Sequence, residues 1–229
     1  MRLRRALLSW ITIGVMFVSQ AGASPRADQS SIGAPTLSNA DAVVRQFIAA
    51  LKRANNAGEI YYQATCQFGN GHDVLLFPRT IVQSPSTRRR GLVSVREMFQ
   101  ADKSVTVSQE RKNLIRVRIG DVPESILRAK ISLLLLTPDE QFTPHMVLDA
   151  LQSNADVRAS IKRLGIHPAQ GLSIYPVQPP AAGLPHFPSV MRDVTVGEVL
   201  EAVAQTFHGV VLYGACSQPP LFGIRFVSF

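Results

Sequence analysis

The chain holds two cysteines, and each closes the same kind of phrase. Residues 58–66 read GEIYYQATC and residues 209–217 read GVVLYGACS. Each phrase is a glycine, a short run of β-branched and aromatic residues, and then the cysteine. No other feature limits the fold as much. A bond between Cys66 and Cys216 closes a loop of about 150 residues and ties the first third of the chain to its C-terminal end. In the chain-entropy picture such a link is worth at most roughly 5 kcal/mol, before strain. Two thiols buried as small hydrophobes at strand ends are the alternative.

The compartment bears on that choice. The N-terminal 23 residues have the order of a secretory leader. MRLRR is a basic start, residues 6–18 are an apolar stretch, and Ala21-Gly22-Ala23 is a small-residue cleavage site. Cleavage after Ala23 is expected. An uncleaved anchor needs roughly 20 apolar residues, more than this stretch supplies. No cysteine stands directly after the cleavage site, and ISLLLL (131–136) is too short to span a bilayer. Export to an oxidising periplasm or medium favours pairing of an even number of cysteines. The leader also carries three of the 24 basic residues and no acid, so the overall charge of +8 falls to about +5 in the mature chain. The densest basic run is Arg88-Arg89-Arg90, read as a solvated loop or as a polyanion patch. Aromatic and basic residues are not interleaved as in a nucleic-acid reader, so no nucleic-acid partner is expected.

Periodicity organises the rest. Residues 24–38 are small, polar and proline-containing, a flexible arm. Val43, Val44, Phe47, Ile48 and Leu51 share one helical face, with Ser38 or Asn39 placed as a cap and Gly58 just beyond the end. A strand over 60–65 follows, then an irregular stretch over 67–90 with a short apolar piece at 74–77. Next come a short helix (Val95, Met98, Phe99), a strand through Val105 and Val107, a turn at SQERKN, and a strand with Ile115, Val117 and Ile119 on one side and Arg116 and Arg118 on the other. Pro123 is placed to open a short helix, and a strand follows at 131–136. Thr143-Pro144 starts a helix, and Ser153-Asn154 breaks it into a helical hairpin. Six prolines in 167–190 mark a linker or extended crossing. A helix (Val199, Leu200, Val203, Phe207), a strand from 210, a turn at CSQPP and a last strand end the chain. The fold class is α+β, with small mixed or antiparallel sheets covered by helices and helix–strand–strand units partly repeated.

LVSVREMF (92–99) and DVTVGEVL (193–200) share V-[ST]-V-x-E followed by two apolar residues, offset by 101 positions. The Ser or Thr is expected to start each helix, with Glu97 or Glu198 in its first turn. Val93-Ser94-Val95-Arg96-Glu97-Met98-Phe99, followed by Val105-Thr106-Val107 and Ile115-Arg116-Val117, resembles the short N-terminal domain of secretins and TonB receptors. The upstream helix and IYYQ are similar to that module's first helix and second strand. The resemblance divides the chain into a leader (1–23), an arm (24–38), a module of this type (39–120), a strand with a helical hairpin (121–166), a proline-rich linker (167–190) and a C-terminal half-module (191–229). It implies a periplasmic docking module of a Gram-negative envelope and brings no catalytic residue. The long stretch at 67–90 and the helical middle depart from the pattern.

Catalytic signatures are sparse. His72, His145, His167, His186 and His208 are scattered without metal-ligand spacing. GNGHD (69–73) is the nearest approach to a catalytic or metal loop, and a turn with a polar tip explains it more cheaply. No G-x-S-x-G, P-loop or H-E-x-x-H occurs. No cofactor, metal or catalytic residue is expected. The expected role is a non-enzymatic exported protein that binds another envelope protein, without a membrane span after cleavage. The alternatives are a secreted hydrolase with a site near His72 and Asp73, and a polyanion binder using Arg88 to Arg90.

Overall fold

The computed structural model describes residues 39–69, 72–84, 89–169, 184–218 and 220–229. The leader, the arm, Ser38, most of the proline-rich linker, the glycine turn at 70–71 and Arg88 lie outside the described residues.

The two cysteine phrases lie side by side. They form β1 (Ala57–Gln63) and β9 (Gly209–Ser217), parallel neighbours with Gly58 opposite Val210 and Gln63 opposite Ala215. The pairing runs one residue further, because Ala64 N–H donates to Ala215 O at 2.7 Å. Cys66, on β2 (Thr65–Gly69), is thereby brought against β9 and bonds Cys216, with Cα atoms 6.3 Å apart. β2 and β3 (His72–Leu76) make a separate hairpin.

A six-stranded sheet surrounds this pair, in the order β4-β5-β1-β9-β10-β7. β5 (Leu114–Ile119) is parallel to β1 on its other side, and β4 (Val105–Arg111) is antiparallel to β5 at one end of the sheet. β10 (Pro220–Ser228) runs antiparallel to β9, and the two-residue β7 (His167–Pro168) closes the other end. β6 (Lys130–Leu135) and β8 (Val190–Thr195) form a second antiparallel pair. The fold is α+β, and residues from Leu37 to Phe229 form one compact unit.

Both faces of β1 are covered, and alternation sorts its side chains between two cores. Ile60 joins Val117 and Leu212 under α1 (Asn39–Ala54) and α2 (Gly91–Phe99). Tyr61 and Tyr213 face the other way, toward a core built by α3 (Pro144–Ser153), α4 (Ala155–Leu164), α5 (Val196–Thr206) and β6. α1 rests so closely on β1 that a Cβ on Gly58 would lie 2.4 Å from Leu51 Cδ1. Gly209 is small for a different neighbour, since a Cβ there would lie 2.2 Å from Phe226 Cζ of β10. The similar phrases therefore use glycine for different contacts.

Local chemistry explains most helix ends. Thr143 accepts from Met146 N–H ahead of Pro144 and starts α3. Asn154 ends α3, and its side-chain oxygen accepts from the Asp156 and Val157 amides to start α4. Thr195 and Glu198 form a reciprocal capping box at α5. Ser94 does not repeat this role. α2 begins at Gly91, so Ser94 lies inside the helix, fully buried, with no hydrogen-bond partner for its hydroxyl among the described residues. The turn expected at SQERKN also falls later. β4 continues through Arg111, with a register shift between Gln109 and Arg111, and the chain reverses at Lys112-Asn113. Residues 190–195, for which no strand was expected, form β8. Residues 125–128 make turns, and no helix follows Pro123.

Candidate functional site

A glutamate in the middle of a central strand is the least expected residue of the fold. Glu59 belongs to β1, is opposite Arg116 on β5 and Val211 on β9, and has no exposed surface. Alternation points Glu59, Tyr61 and Arg116 to the face that α5 covers. Arg116 Nε donates to Glu59 Oε2 at 2.7 Å, and Tyr61 Oη donates to Glu59 Oε1 at 3.1 Å. The Arg116 guanidinium also reaches Glu201 of α5 at 2.9 Å and Glu110 of β4 at 3.1 Å. It lies 4.7 Å from the Tyr61 ring centroid, within cation–π range. Arg111 holds the other oxygen of Glu201 at 2.8 Å. One guanidinium thus joins β4, β5, β1 and α5.

The electrostatics suit a fastening. Burial pushes the Glu59 carboxyl up to about 7, against the pull of Arg116. Burial likewise raises the Tyr61 phenol, with the Glu59 charge adding to it. Such values attract attention as signs of acid–base sites. Here the carboxylate is sealed beneath α5, and a general base has to come within hydrogen-bonding reach of its substrate. The cluster therefore acts as an ion-paired joint between strands and helix.

Outside this joint is a polar hollow of about 320 Å³. Arg111 and Lys112 of the β4–β5 turn line it, with Asn55 and His208 just beyond the C-terminal ends of α1 and α5. Both Asn55 and His208 have positive φ, 52° and 48°. Cations suit a place where two helices present their C-terminal ends, which accounts for the arginine and lysine.

The sheet edges differ sharply. β7 is two residues long and contains Pro168, which has no N–H. The outer edge of β6 is occupied: Ser132 N–H donates to Asp156 and Leu133 O accepts from Asn154. β4 is longer and has no strand beyond it among the described residues. Ser104 O accepts from Gly120 N–H on the β5 side. Alternation in an antiparallel pair then turns the C=O of Val105 and the N–H and C=O of Val107 outward, while the Val105 N–H donates to Asp102 O at 3.1 Å.

The residues singled out in the sequence are not brought to one place. Cys66 and Cys216 meet. His72 and Asp73 belong to β3, opposite Gly69 and Phe68. Arg89 pairs with Glu97 on α2, and Arg90 precedes that helix. Among the described residues, no group of three or more His, Cys, Asp or Glu is placed to hold a metal ion. None of the described helices is long and apolar enough to cross a membrane. The latter observation and the disulfide are compatible with a periplasmic or secreted protein. Sequence reading missed the Glu59 cluster. Its one signal was a lone acid inside a β-branched and aromatic run.

No protein-family model, curated protein or solved structure matches the chain.

Proposed function

We propose that this chain is an exported, non-enzymatic docking protein that receives an extended segment of another envelope protein along β4. The observation that carries this reading is the open edge of that strand. Val105, Thr106, Val107 and Ser108 are uncharged, and three of them are β-branched. Exposed edges are commonly guarded by charge, proline or shortness. β7 has proline and shortness, and β6 is covered by side chains from α4 and its cap. The first four residues of β4 have none of these guards. Strand addition draws affinity from main-chain hydrogen bonds and specificity from alternate side chains. Leader-like residues 1–23 and the resemblance to an envelope docking module point to the same class of role.

A photo-crosslinking residue in place of the exposed Thr106, in the chain expressed in its own host, tests this. A discrete adduct is expected, and it should disappear when Val107→Pro removes an outward N–H. No adduct, or the same adducts from a control position at Arg192 on β8, would contradict the proposal.

A further inference from the structure

A groove at the opposite end of the sheet from β4 belongs to none of the features above. It lies among α4, the C-terminal end of α3 and β7 and has a volume of about 620 Å³. That is within the usual range for small-molecule sites, roughly 300–1,000 Å³. Ile161, Ile166 and Pro168 make its apolar surface, and both isoleucines pack against the main core, which fixes that wall. Arg158 and Lys162 are one helical turn apart on α4 and share a face. His167 contributes from β7.

The charges in the groove are unbalanced. No aspartate or glutamate lines it. Asp156, the one acid of α4, is engaged by Ser132 N–H at 2.7 Å. The neighbouring Arg163 bonds Ser160 Oγ at 3.2 Å, whereas Arg158 and Lys162 make no ion pair among the described residues. Strand addition is poorly served, because β7 is short and Pro168 has no N–H. A ligand here is held by side chains.

We infer that the groove binds a small anionic amphiphile, a free single-chain carboxylate. Its apolar body lies on Ile161, Ile166 and Pro168, and its carboxylate is held between Arg158 and Lys162. The apolar residues line a concavity, which a monomeric chain can enter and a flat bilayer surface cannot. This inference is independent of docking at β4, since the two sites occupy opposite ends of the sheet.

Dodecanoate below its micellar concentration is the probe, titrated into the purified full chain and followed by calorimetry and by the methyl signals of its isoleucines. Saturable one-to-one binding is expected, with Ile161 and Ile166 shifting and Ile60 unmoved. The double variant Arg158→Gln, Lys162→Gln changes only exposed side chains, so its melting temperature should hold while affinity falls about tenfold or more. Methyl dodecanoate, which has no charge, should bind as weakly as dodecanoate binds the variant. Absence of saturable binding, equal affinity for the ester, an unaffected double variant, or binding to anionic vesicles alone would each overturn the inference.

Discussion

The Glu59 cluster and the β4 edge are separated by a single strand, yet they are built on opposite terms. On β5, Arg116 is opposite Ser108 of β4, and its guanidinium reaches both buried Glu59 and Glu110 near the end of β4. On the inner side, charge is locked between strands under a helix, where burial magnifies electrostatics and excludes substrate. On the outer side, uncharged β-branched residues leave backbone donors and acceptors turned to solvent. Perturbed acids alone do not make an active site, because access matters as much as chemistry. In this chain the accessible groups include the outward backbone donors and acceptors of β4, where we propose that another chain pairs.

Damage to the interior should cost mainly stability, and damage to the edge should cost mainly binding. The largest loss is expected from reducing Cys66–Cys216, up to about 5 kcal/mol from loop closure, read by denaturant melts with and without reductant. Next comes Arg116→Ala, which strands Glu59 and should cost roughly 3–5 kcal/mol. That cost should shrink at pH 5, where Glu59 takes up a proton. The same group sets a pH slope in the wild type. Its carboxyl lies at about 7 in the folded protein against an ordinary 4.5, so the folded state holds the proton more tightly than the unfolded chain. Its contribution is complete below pH 4.5 and is lost as pH rises through about 7, by up to roughly 3 kcal/mol. Urea melts across that window should show the decline, and Glu59→Gln should remove it. Thr195→Ala deletes the α5 cap and should cost about 1 kcal/mol. Smallest is Val107→Pro, about 1 kcal/mol or less in a thermal melt, with loss of the Thr106 adduct.

Much of the architecture was legible because burial imposes period. The faces of α1, α5 and β5 follow from apolar spacing, and the caps at Thr143, Asn154 and Thr195 follow from short-range chemistry. The disulfide phrases pointed to two strand ends, although only the fold shows that they are parallel neighbours. What was not legible depends on tertiary contact. Gln109 to Arg111 look like a turn, because an edge strand tolerates polar residues as a turn does. Ser94 matches Thr195 in sequence but lies inside its helix, which begins three residues earlier. β8 has a strand's pattern only beside β6. Glu59 and Arg116 are 57 positions apart, and neither is unusual alone. The groove beside α4 needs β7 across from it, and two residues carry no periodic signal.

The contrast between sealed interior and open edge is tested most directly by amide hydrogen exchange on the isotope-labelled chain, alone and in unlabelled envelope extract from its host. The Val107 amide should exchange rapidly in the pure protein and slow markedly in the extract, while Glu59 and Ile60 stay protected in both. Protection of Val107 already present in the pure protein, or rapid exchange unchanged by the extract, would contradict the account.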